Sequence, residues 1–189
     1  MKYEKVNNKK RKKMSYFNGT LILLKDKKDP KLFMLDFNEN LKSIDVLFQK
    51  SNYETIIFND SRNEEEKEPI ELNKSMTHEH IINLVCSWKG LGLLTYRHQD
   101  FEYEVWINYL TWDDEYIYGF VLFFAPKDTI YEDNRHEKLI FKISEFVDYK
   151  YVVGDINEES KNYISMEEDL DEIEEHILKS SFEIDSRNW

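Results

Sequence analysis

The chain has 189 residues, 41% hydrophobic and 15% aromatic, with a formal net charge of −12 and one cysteine. That length suits one well-buried domain. No apolar run nears the roughly 18 residues that would span a membrane, and Cys86 alone excludes an internal disulfide and any cysteine-based metal cluster. With no secretory signal after the basic start, a soluble protein of the reducing cytoplasm is expected.

Residues 1–13, MKYEKVNNKKRKK, hold seven basic residues and one acidic, so residues 14–189 carry −18. The segment lacks apolar periodicity and reads as a basic disordered arm or as an untranslated leader. KKRKK directly before Met14 has the purine-rich codons of a ribosome-binding site, which makes Met14 the expected start. One Ala and five Gly beside abundant Lys, Asn, Ile and Tyr point to an AT-rich bacterial or phage genome.

The domain is expected over 14–180, with 181–189 as a C-terminal tail. TLILLK (20–25) and KLFMLDF (31–37) read as two strands joined by DKKDP, whose Asp and Pro favour a turn. NENLKSIDVLFQK (38–50) leans to helix through Leu41, Ile44, Leu47 and Phe48, with Asp36 and Glu39 at capping-box spacing. YETIIFN (53–59) is a further strand, and NDSRNEEEKEP (59–69) a solvated loop. In THEHIINLVCSWKG, Thr77 is the N-cap, Ile81, Leu84, Val85 and Trp88 recur at helical spacing, and Gly90 stands where the helix should stop.

LGLLTYR follows as a strand. In 101–110, Phe101, Tyr103, Val105, Ile107 and Tyr109 share one face, which leaves the face of Glu102, Glu104, Trp106, Asn108 and Leu110 expected to be wet. YIYGFVLFF (116–124) is apolar on both faces and predicts a central strand needing two covers, expected to be the helices near 77–89 and 135–148. The latter, RHEKLIFKISEFVDY, carries Leu139, Ile143, Phe146 and Val147 at helical spacing. KYVV returns as a short strand before Gly154. A last helix is expected from Ser165, with Glu168 completing a capping box, to Lys179. The expected fold is therefore a single α+β domain: an antiparallel sheet flanked by helices, with an acidic C-terminal helix.

No constellation reads as catalytic machinery. Trp112, Asp113, Asp114 and Glu115 fall in the TWDDE connection between two antiparallel strands, where Asp favours the turn by bonding nearby backbone N–H groups. A metal would need ligands that the local sequence does not supply, although an aromatic beside three acids also suits a contact site. His78-Glu79-His80 fails the HExxH spacing because position 82 is Ile, and on a helix the two His stand about 200° apart. Cys86, beside Val85 and away from any basic cluster, reads as a buried structural thiol. Gly90-Leu91-Gly92 follows a helix, the wrong context for a phosphate loop. Glu65-Glu66-Lys67 resembles a nuclease ExK but lies in the polar loop. No catalytic residue, metal or cofactor is expected, and the chain reads as a non-enzyme.

The feature left over is charge. Asp155 to Leu178 contains ten acids and one lysine. On a wheel, Met166, Leu170, Ile173 and Ile177 fall within roughly 60° of arc and acids fill most of the rest. Like charges at 167 and 171, 168 and 172, and 171 and 175 each cost about 0.2–0.5 kcal/mol, and Glu174 and Glu175 lie toward the dipole end that prefers cations. Either the helix is a solubilising face, or Glu167, Glu168, Asp171, Glu174 and Glu175 dock a basic partner, with Trp112 to Glu115 as a second candidate patch.

WKGLGLLTY leading into WDDEYIYGFVLFF, together with the acidic C-terminal helix, resembles the immunity proteins that neutralise bacterial polymorphic toxins. The resemblance implies a cytoplasmic, non-catalytic protein that occludes the active surface of a basic cognate toxin. The alternatives are a phage anti-defence protein or DNA mimic, whose acids would imitate phosphates, and a metal- or nucleotide-dependent enzyme, in which a pocket would gather His78, His98, His136 or His176 with acids. Binding to nucleic acid itself or to a membrane is not expected.

Overall fold

The architecture is an α+β one built around a seven-stranded antiparallel sheet; the computed structural model describes residues 18–49, 55–56, 70–87, 90–129, 134–158 and 160–189. Strand β1 runs Asn18–Lys28, longer than expected, and no hairpin follows it. Instead α1 spans Pro30–Ser43. The DP dipeptide read as a turn is a helix start: Asp29 is the N-cap, its Oδ1 accepting the Leu32 N–H at 2.9 Å, and Pro30 occupies the first turn, where no N–H is needed. Met34, Phe37, Asn38 and Leu41 form its buried face, a helical spacing that the alternation in KLFMLDF hides. Asp36, expected to start a helix, lies exposed in the middle of this one.

The two-residue strand β2 (Leu47–Phe48) follows a turn in which Asp45 takes a φ of 62°. β3 (Thr55–Ile56) pairs with β4 (Ile70–Glu71) in a separate small ribbon; the rest of the expected 53–59 strand and the polar loop lie outside the described residues. α2 (His78–Cys86) begins as expected, with Thr77 Oγ1 accepting the His80 N–H at 3.1 Å. It ends before Gly90, which carries a φ of 77° in the turn onward, and Trp88 lies outside the described residues.

The large sheet is completed by β5 (Leu93–Arg97), β6 (Val105–Leu110), β7 (Ile117–Phe124), β8 (Tyr149–Gly154) and β9 (Ile184–Asp185), in the order β2-β5-β6-β7-β1-β8-β9. The 116–124 run is thus the middle strand, as its two apolar faces require. Gly119 sits at its tightest point, where a Cβ would run into the Ile22 carbonyl oxygen of β1. The segment expected as a tail supplies the edge strand β9.

The two sheet faces have different covers from those expected. Ile22, Leu94, Tyr109, Phe120, Leu122 and Val152 point to one face, where α1, α2 and α3 (Arg135–Ser144) all pack through Phe37, Ile81 and Ile140 among others. Leu21, Leu110, Val121 and Val153 point to the other, which is covered by Ile156, Ile164 and Phe182 and by Ile173 and Ile177 of α4 (Leu170–Lys179). The helices near 77–89 and 135–148 therefore share a face, and the acidic helix is the second cover. This also corrects the wet-face expectation for β6, because Asn108 and Leu110 are buried beneath that layer. Burial of Ile173 and Ile177 contributes about 1.5–3 kcal/mol each.

Candidate functional site

Both candidate acidic patches lie on the α4 side of the molecule, and one hydrogen bond joins them. Trp112 Nε1–H donates to the Glu168 backbone oxygen at 3.0 Å, and its half-buried ring packs on the core beneath α4. Tyr118 meets that ring edge-on, with centroids 5.7 Å apart. Trp112 thus fixes the hairpin tip to the chain entering α4, and only part of its ring remains for a partner.

At the tip, Asp113 is the organiser. Its Oδ1 accepts the Glu115 and Tyr116 N–H groups at 3.0 and 2.9 Å, and its Oδ2 accepts the Tyr118 hydroxyl at 2.6 Å and the Lys27 ammonium at 3.2 Å. Lys27 also lies 4.0 Å from the Tyr116 ring centroid. Partial burial works to raise the Asp113 pKa, but the Tyr118 hydroxyl, the two backbone N–H groups and Lys27 outweigh it and hold the carboxyl below the usual carboxylate range. Asp114 occupies the left-handed position of the turn, with a φ of 61°. The first of the three acids is therefore committed to the turn, the second bends it, and Glu115 is exposed.

The acidic helix starts later than Ser165. Asp169 is its N-cap, and the reciprocal box is Asp169 with Glu172: Asp169 Oδ1 accepts the Glu172 N–H at 2.9 Å, and Glu172 Oε2 accepts the Asp169 N–H at 3.3 Å. Ser165 and Glu168 form a preceding turn. Glu167 and Glu168 are consequently outside the helix, and of the expected like-charge pairs only 171 and 175 lie within it. Asp171 stands in the first turn, where the helix dipole favours it.

At the other end the expectation of uncompensated acids fails. Glu174 binds the β8 residue Lys150 at 2.6 Å, and Glu175 pairs with Lys179 one turn on. Arg187 donates to the Ile177 and Ser180 carbonyl oxygens, both at 2.8 Å, while buried Asp185 grips its guanidinium through two oxygens. A cation thus caps the helix C-terminus, as the dipole asks. The sequence held these partners in plain view but 24 and 10 residues from the groups they serve. By contrast, Glu167, Asp171 and Glu172 are exposed and make no ion pair among the described residues. A shallow groove of about 480 Å³ runs beside them, lined by Glu168, Glu172, Glu175, His176 and Lys179.

The remaining chemically able side chains are dispersed. His78 lies against Phe48 and His80 is exposed. His136 is buried beside Phe124. His98 Nδ1 accepts the Asp100 N–H at 3.2 Å, at the edge of a second cavity of about 480 Å³ that also holds Glu137 and Glu183. Among the described residues no three His, Cys, Asp or Glu are placed to hold a metal ion. Cys86 Sγ sits 3.6 Å from Met34 Sδ, and burial, reinforced by the charge of Asp29, pushes its thiol up to about 11, so it stays protonated at neutral pH. Asp128, which sequence reading passed over, is buried and accepts the Glu102 and Tyr103 N–H groups at 3.0 and 3.1 Å, tying down the loop before β6. Among the described residues no helix is long and apolar enough to cross a membrane.

No family model matches the chain, and neither a curated protein nor a solved structure is similar to it at a significant level.

Proposed function

We propose that this chain is a non-catalytic binding protein that captures a basic protein through the acidic surface leading into and along α4, and that its specific role is that of a cytoplasmic immunity protein occluding the active surface of a bacterial toxin. The observation that carries the reading is the mounting of the charge: Glu167, just before α4, and Asp171, in its first turn, are exposed without ion pairs among the described residues, and the helix beside them is boxed at its start by Asp169 and Glu172 and capped at its end by Arg187. The exposed carboxylates project a negative potential from a fixed scaffold. Such a field steers a cationic partner to the surface and sets its register, acting over about 8 Å at physiological salt. The hairpin tip adjoins this surface through Trp112 and Glu168.

The test is affinity capture from the source cells with immobilised wild-type chain and with the Glu167→Lys/Asp171→Lys variant. A basic protein retained by the wild type and lost by the variant, whose toxicity the wild type suppresses on co-expression, is the expected result. Equal retention by both chains overturns the α4 assignment, and a retained partner without toxicity overturns the immunity role.

A further inference from the structure

We infer that the α3 face is a self-association surface and that its occupant is a second copy of this chain. The cavity beside α3 is walled by two exposed aromatic rings, Phe141 at 47% and Trp189 at 50%. They meet each other edge-on at 5.3 Å, and Trp189 also meets Tyr149 at 6.1 Å, so the rings are held in place without being covered. An ordered, exposed aromatic pair is the type of anchor on which interfaces concentrate their binding energy.

The charges around this pair select the occupant. Arg135, Lys138 and Lys142 line the cavity, and so do Asp100, Glu137 and Glu183. In a chain of net charge −12, this lining holds both signs. A two-fold interface places a patch against itself, so it needs both signs in that one patch. The α4 surface fails this requirement because its acids would meet acids. A strongly acidic or basic partner would favour a lining of one sign, and a small anion entering here would face three carboxylates. A second copy is the occupant in which Lys138 and Lys142 meet Glu137 and Glu183 of the same lining. The patch is small beside a standard interface of roughly 20–30 residues a side, so a weak dimer is expected. Because α3 and α4 cover opposite faces of the sheet, pairing through α3 leaves both acidic surfaces open. The inference stands independently of the function proposed for α4.

Sedimentation equilibrium of the full chain from about 1 to 200 µM tests it. The wild type is expected to pass from monomer to dimer across that range. Phe141→Glu should stay monomeric with its thermal midpoint nearly unchanged, since the ring is already half exposed. Lys138→Glu/Lys142→Glu and Glu137→Lys/Glu183→Lys should each be monomeric alone and form a heterodimer when mixed. A wild type that remains monomeric overturns the proposal, and quenching of Trp189 fluorescence by a nucleoside triphosphate would then give the cavity to a small anion. A dimer indifferent to all three variants overturns it equally.

Discussion

The hairpin tip and the acidic helix present the same sequence signal, a run of carboxylates beside apolar residues, but their oxygens have different employment. At the tip, Asp113 accepts from Glu115, Tyr116, Tyr118 and Lys27, so its charge is spent on holding a turn. On the approach to α4 and along its first turns, Glu167 and Asp171 make no ion pair among the described residues and face solvent. Acidic density is thus a poor guide to a docking surface. What distinguishes the two regions is whether each carboxylate already has donors of its own.

The comparison can be broken most forcefully at Arg187. Removing it in Arg187→Ala leaves Asp185, whose side chain is only 6% exposed, as a buried charge without its partner and returns two helix carbonyls to water. Chemical denaturation should show a loss of about 2–4 kcal/mol. A loss below about 0.5 kcal/mol would mean that α4 is not held by this cap.

Asp113→Asn sharpens the other side. It keeps the shape of the turn but weakens charge-assisted bonds, and about 1–2 kcal/mol should be lost near neutral pH. The folded-state pKa of Asp113 lies below its unfolded value. Its contribution is therefore fully present above the unfolded carboxylate range, near pH ~4, and disappears as pH falls through the lower folded value. The stability gap between wild type and variant should be constant above that range and close under stronger acid. A gap that widened on acidification would reverse the assignment.

The smallest stability effect is expected from Glu167→Lys/Asp171→Lys. One residue precedes the helix and the other exchanges relief of repulsion with Glu175 for a poorer fit to the dipole, so unfolding should shift by less than about 0.5 kcal/mol in either direction. A large loss would show that these acids are structural, like Asp113.

Most strand and helix positions after residue 70 were legible because the information was local: Thr77 before α2, the uninterrupted apolar run of β7, the spacing of Leu139 and Ile143. α1 was misread because KLFMLDF satisfies period 2 and helical spacing together, and the decisive Asp29-Pro30 pair favours turns as well as helix starts. The partition of helices between the two sheet faces was not legible, since an amphipathic stripe states that a face is buried but not against what. The same limit applies to the candidate surface. The acids were visible as a list, while Lys150, Arg187 and Lys27, which decide which acids are engaged, reach them only after the chain has folded.

The central claim is that the ion-pair-free carboxylates around the start of α4 capture a cationic protein. Its most direct test is the association rate with the captured partner for wild type and for Glu167→Lys/Asp171→Lys, measured across a salt series. The account predicts an on-rate reduced at least about tenfold at low salt, a gap that narrows as salt rises, and a nearly constant off-rate. Equal on-rates at low salt would contradict it and leave α4 as a solvated cover for the sheet.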